Sequence, residues 1–96
     1  MKTEREKMVA GQFYIAADPE LRHMRKTARQ QMQVFNNELD GAKRSEILKT
    51  LFGKTGNRIY MEPNFYCDYG SNIHVGEDFY ANFNCTMLDV CPIRIG

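Results

Sequence analysis

Ninety-six residues suffice for one small domain with a limited core. The 43% hydrophobic and 26% charged content is that of an ordinary globular chain and excludes a fibrous or fully disordered one. No apolar run could span a bilayer, and the charged opening MKTEREKMVAG lacks the apolar stretch of a secretory leader, so a cytoplasmic protein without a membrane role is expected. The net charge of +1 makes no general case for nucleic acid. It is unevenly spread, however: residues 1–57 carry eleven Lys and Arg against seven Asp and Glu, and residues 58–96 carry two against five.

Taken in chain order, the first half reads as helix. Thr3 and Glu6 have capping-box spacing, and Gly11 is a plausible stop. Asp18-Pro19-Glu20 marks a second start, with Asp as cap and Pro at the first helical position. Leu21, Met24, Ala28, Met32 and Phe35 then recur at steps of three and four, which is one helical face, and FNNELDG ends it. A third helix fits about 42–53, with Ile47, Leu48, Leu51 and Phe52 on one side. These faces are too short to be stable alone and must pack on something.

At KTGNRIY the periodicity changes from helical to six. Met61, Cys67, Ile73, Phe79, Cys85 and Cys91 form one apolar phase, and Pro63, Tyr69, Val75, Ala81, Met87 and Ile93 another. The phase between them is largely polar. A hexapeptide repeat is a signature of the parallel β-helix, in which each coil lays short strands over those of the coil before. With eighteen residues per coil, Cys67 and Cys85 stack one coil apart, at roughly the 4.8 Å spacing of neighbouring strands. All three cysteines then read as small buried core residues. A Cys67–Cys85 disulfide is allowed by that separation but disfavoured in a reducing compartment. The chain has no CxxC pair and no metal is expected.

TEREKMVAGQFY, RKTARQQMQVFN and CDYGSNIHVGEDFYANFNCTMLDVCPIRIG together resemble the maltose/galactoside O-acetyltransferases of the hexapeptide-repeat acyltransferase superfamily, over essentially the whole chain but only the N-terminal half of the family's length. The resemblance implies an α+β fold: a helical cap domain, residues 1–57, and then about two coils of left-handed parallel β-helix, residues 58–96. It implies a homotrimer with active sites between subunits, acetyl-CoA as co-substrate, and transfer of the acetyl group to a sugar hydroxyl of the maltose or glucose type. The family's catalytic histidine follows the segment that matches IRIG, so these 96 residues hold no catalytic base and only a small part of the coenzyme site. Neither His23, on the second helix, nor His74, pointing away from the core, stands in for it. Acceptor-binding positions carried over by motif are Asn82 and Tyr80 in YANFN, Asp68 in CDYG and Arg25 on the second helix, with Asn84 and Asp89 as weaker candidates. Where the galactoside branch has Asp, this chain has Ala16. Two functions are therefore expected: a sugar O-acetyltransferase whose 96-residue form is truncated and inactive, or a non-catalytic sugar-binding or oligomerisation module.

Overall fold

The computed structural model describes residues 1–96. Helix α1, Glu4–Val9, starts as its capping box dictates: the Glu6 N–H donates to Thr3 Oγ1 at 3.1 Å, and the Thr3 N–H donates to Glu6 Oε1 at 2.8 Å. Helix α2, Pro19–Asn37, is capped by Asp18, which accepts from the Glu20 and Leu21 N–H groups. Helix α3, Gly41–Leu51, is capped in the same way by Asp40. Asp40 thus belongs to a start signal, although LDG reads in sequence as part of a stop.

Six three-residue strands follow: β1 Ile59–Met61, β2 Phe65–Cys67, β3 Ile73–Val75, β4 Phe79–Ala81, β5 Cys85–Met87 and β6 Ile93–Ile95. β1 pairs with β4, β2 with β5 and β3 with β6, all parallel, giving the three faces of a triangular spiral. This is the α+β class expected, with helices first and then two coils of parallel β-helix.

The coil length differs from the expectation. Ile59 pairs with Phe79, Phe65 with Cys85 and Ile73 with Ile93, so one coil is twenty residues rather than eighteen. The extra two residues lie at the corner between the second and third faces, 68–72 in the first coil and 88–92 in the second. Cys67 therefore stacks on Met87, and Cys85 on Phe65. Cys91, expected in the core, lies exposed in the corner, where its Sγ donates to the Met8 carbonyl at 3.3 Å. All three cysteines are free thiols.

Inward positions are the first and third of each strand. In the first coil these are Ile59 and Met61, Phe65 and Cys67, Ile73 and Val75, all buried. They share one core with Ala28, Met32, Phe35, Leu48, Leu51 and Phe52 of the helical layer. At its centre the Phe65 ring meets Phe35 and Phe52 edge to face, with centroids 6.3 and 5.6 Å away. Gly70, at φ +80°, turns the corner directly under α3, where a β-carbon would overlap the Leu51 side chain and lie 2.9 Å from its carbonyl oxygen.

The helices and the segment after α3 do more than cover the first coil; between them they bond to its edge on every face. Asn36 of α2 acts as a one-residue strand for β2: its Oδ1 accepts from the Phe65 N–H at 2.8 Å, and its Nδ2 donates to the Phe65 carbonyl at 3.1 Å. On the β1 face, Ser45 Oγ donates to the Ile59 carbonyl and Arg44 Nε to the Met61 carbonyl. On the β3 face the chain itself does so, Gly53 N–H donating to the Ile73 carbonyl and Val75 N–H to that of Lys54. Arg44, 5% exposed, is further satisfied by the Glu38 carbonyl and the Tyr60 hydroxyl.

Candidate functional site

The corner 68–72 is built around a carboxylate from the coil above. Asp89 is fully buried; its Oδ1 accepts from the Asp68 N–H at 3.1 Å and the Tyr69 N–H at 2.9 Å, and its Oδ2 accepts from the Asn72 N–H at 3.2 Å. Asn72 returns the bond, its Nδ2 donating to the Asp89 carbonyl at 2.8 Å. Asp89 was a candidate sugar ligand on sequence. The structure corrects this: its oxygens are committed to backbone N–H groups and closed to solvent, so it shapes the corner rather than meeting an acceptor.

Asp68 stands at that corner half-buried, its carboxyl free for a ligand. Burial, and then the nearby Asp89 charge, push it above the ordinary carboxylate range, while Arg25 and Arg29 pull the other way. Arg25 does not neutralise it directly. One guanidinium nitrogen donates to the Tyr69 hydroxyl and another to the Ala16 carbonyl, both at 2.8 Å. The group also lies over the Tyr69 ring, 5.9 Å from its centroid. Here the carbonyl of Ala16, not a side-chain carboxylate, positions the arginine.

A carboxyl raised by folding binds protons more tightly in the native state, so Asp68 costs stability as pH rises through its unfolded value and on to its folded one. We expect Asp68→Asn to raise the urea midpoint at pH 7, and the gain to vanish once pH falls below the unfolded carboxyl range. Melts at the two pH values test this; equal midpoints for both proteins at pH 7 would contradict it.

The other candidates lie elsewhere on the triangle. Tyr80, outward on β4 and 60% exposed, stacks on Tyr60 of the first coil at 5.7 Å with the rings 11° from parallel. Asn82 and Asn84 are exposed in the β4–β5 corner. Asn82 Oδ1 accepts from the Phe83 N–H at 2.9 Å, and Asn84 takes φ +58°, a turn role that asparagine tolerates. The structure thus groups Arg25 with Asp68 at one corner and places Tyr80, Asn82 and Asn84 on and after another face. Sequence reasoning missed the cleft of about 630 Å³ beside the first group, between α2 and β2, which Arg29, Gln33, Asn64 and Tyr66 line. Its only sequence signal is that Tyr66 is an outward aromatic between two buried strand positions.

His23 lies exposed on α2, and His74 is an outward residue of β3, beside Arg94 of β6. No three His, Cys, Asp or Glu side chains cluster as metal ligands. Burial, reinforced by Asp89 and Asp68, pushes the Cys67 thiol far up, and burial raises that of Cys85. We therefore expect a maleimide at neutral pH to label Cys91 first, with Cys67 and Cys85 reacting at least tenfold more slowly because thiolate and access are both scarce. Peptide mapping over time checks the order, and early labelling of Cys67 would refute it.

Comparison with known proteins gives this geometry a context. A family model described as the maltose acetyltransferase hexapeptide capping motif matches residues 7–56. A Dictyostelium discoideum protein whose name proposes an acetyltransferase is 55% identical over 94 residues, covering 98% of this chain and 50% of its own. The solved maltose O-acetyltransferase of Clostridium difficile superposes with a TM-score of 0.95 at 48% identity, covering 99% of this chain and 52% of that one. A hexapeptide-repeat acetyltransferase of Vibrio cholerae, solved with acetyl coenzyme A, gives 0.90 at 35% identity, with 99% and 52% covered. The chain spans about half the length of each of these proteins.

Proposed function

The chain belongs to the maltose acetyltransferase family of hexapeptide-repeat acyltransferases, and on that premise we propose that it forms the acceptor-binding part of an acetyl-CoA-dependent sugar O-acetyltransferase acting on a maltose- or glucose-type hydroxyl. The observation that carries this reading is the match of the entire chain, helical layer and both coils, to the solved maltose O-acetyltransferase.

In this reading acetyl-CoA supplies an acyl group already activated as a thioester. The residues here hold the acceptor. Arg25 is fixed by its bonds to Tyr69 and Ala16 and presents donors; Asp68 offers acceptor oxygens to sugar hydroxyls; Asn82 supplies an amide that both donates and accepts; Tyr80 offers a ring face, and Asn84 a second amide. The corner holding Arg25 and Asp68 and the corner holding Asn82 are different vertices of one spiral. A family-type homotrimer, which brings a vertex of one subunit against another, is the arrangement that unites them. The general base that takes the hydroxyl proton, and donors for the developing oxyanion, come from outside these 96 residues.

The test joins residues 1–96 to the remaining half of the Clostridium difficile relative. The folded hybrid is expected to acetylate maltose or glucose, and Arg25→Ala or Asp68→Ala is expected to lower kcat/KM by about a hundredfold, the cost of losing a positioned, charge-assisted contact. The 96-residue polypeptide by itself is expected to give no acetyl transfer above a buffer blank. A folded hybrid inactive on both sugars would overturn the reading, as would turnover by the 96 residues alone. Saturable maltose binding without catalysis by the hybrid would favour a sugar-binding module instead.

A further inference from the structure

Two buried side-chain polar atoms in the protein lack a hydrogen-bond partner, Gln31 Oε1 and Ser71 Oγ. They come from distant parts of the chain, yet both residues line one cleft of about 330 Å³, where α2, α3 and the 68–72 corner meet. An unpartnered buried oxygen costs about 1–3 kcal/mol, and native structures rarely leave one without a reason. Both residues line the same cleft, so a hydrogen-bonding guest there would meet Ser71 after rotation about its single side-chain torsion and Gln31 after rotation about its three.

We infer that this cleft binds a small neutral polyhydroxylated molecule, a polyol or monosaccharide, on the α3 side of the 68–72 corner, where neither Arg25 nor Asp68 lines it. The chemistry follows from the lining. Gln31 Oε1 can only accept, so the guest must donate; the Ser71 hydroxyl does both, as do those of Thr27 and Thr50 nearby. No carboxylate, lysine or arginine lines the cleft and His23 is its single imidazole, too few charged or ligating groups for an amine, a metal ion or a phosphate. Met24 and the Tyr69 ring supply apolar wall for the C–H face of a sugar. A cleft of this volume, part apolar with a few converging polar groups, has the character of a small-molecule site.

Tyr69 joins the two sites, since its ring walls this cleft and its hydroxyl accepts from Arg25. The inference does not depend on the proposed function: it rests on the orphaned oxygens and the cleft alone. The test is a titration of isotope-labelled full chain with glycerol and with methyl α-glucoside, followed by amide shifts. Saturable shifts are expected at Thr27, Gln31, Thr50 and Ser71. Ser71→Ala and Gln31→Leu should each weaken binding at least tenfold. Thr50→Tyr, a change at an exposed helical position, should block the mouth without harming the fold. Lys43→Ala, at an exposed position of α3 outside the cleft lining, should leave binding intact. Absence of saturable shifts with either probe means that the cleft holds only water, and the inference fails. It fails equally if binding survives Thr50→Tyr or is lost in Lys43→Ala.

Discussion

Replacing Asp89 by alanine is expected to lower the unfolding free energy by about 3 kcal/mol, because it strands three backbone N–H groups at once, two of them buried and one half-buried, with each buried one worth about 1–3 kcal/mol unpaired. Those groups, on Asp68, Tyr69 and Asn72, belong to one coil, and the carboxylate belongs to the next. The loss therefore loosens the stacking between coils as well as the corner. Against the 5–15 kcal/mol that typically separates folded from unfolded domains, such a change approaches collapse. Asp89→Asn keeps one acceptor oxygen for Asp68 and Tyr69 but turns an amide N–H toward that of Asn72, so roughly half the loss is expected. Urea denaturation of the three proteins checks the order wild type, Asn, Ala. An alanine variant as stable as wild type would mean that water replaces the carboxylate, and that Asp89 is free for another role after all.

Phe65→Ala is expected to cost about 3–5 kcal/mol, the range for removing a fully buried aromatic ring. The ring has no exposed surface and lies between Phe35 of α2 and Phe52 after α3, so it ties both long helices to the spiral. Its backbone meanwhile stays paired to Asn36. Phe65→Leu, which keeps most of the volume, should recover more than half of the loss. Denaturation midpoints distinguish this from a peripheral contact, for which both variants would behave like wild type. The half-buried Phe79 gives the comparison: Phe79→Ala should cost well under Phe65→Ala.

Much of the fold is legible in residue order because its signals are local. Thr3 and Glu6 are three residues apart, Asp18 precedes its proline, and the step of three and four from Leu21 to Phe35 marks the buried side of α2. The β-helix is legible through its parity. The coil length is not, and the reason is geometric: across each 68–72 type corner a step of six leads from the third position of one strand to the first position of the next, and both of these point inward. One apolar phase therefore runs on through each insertion, Cys67 to Ile73 and Met87 to Ile93, while the other falls on Tyr69 and Cys91 in the corners, whose residue types do not mark the break. Only the register, Phe65 beside Cys85, reveals twenty.

The site is less legible because its logic is non-local. Asp89 reads in sequence only as a weaker candidate than Asp68, because its donors lie 17 to 21 residues earlier and their convergence is a property of stacking. Arg25 was placed correctly on α2, yet its anchoring to Tyr69, 44 residues away, could not be read. Likewise Asn36 looks like part of a helix stop, and only the fold reveals it as a substitute strand.

That substitution has a wider consequence. With Asn36, Ser45, Arg44 and residues 53–54 bonded to the underside of the first coil, the spiral has a floor already occupied by its own helices and the segment after them. Two copies cannot thread roof to floor into a filament, whatever their concentration. Such polarity confines every backbone-mediated addition to the β4–β6 rim.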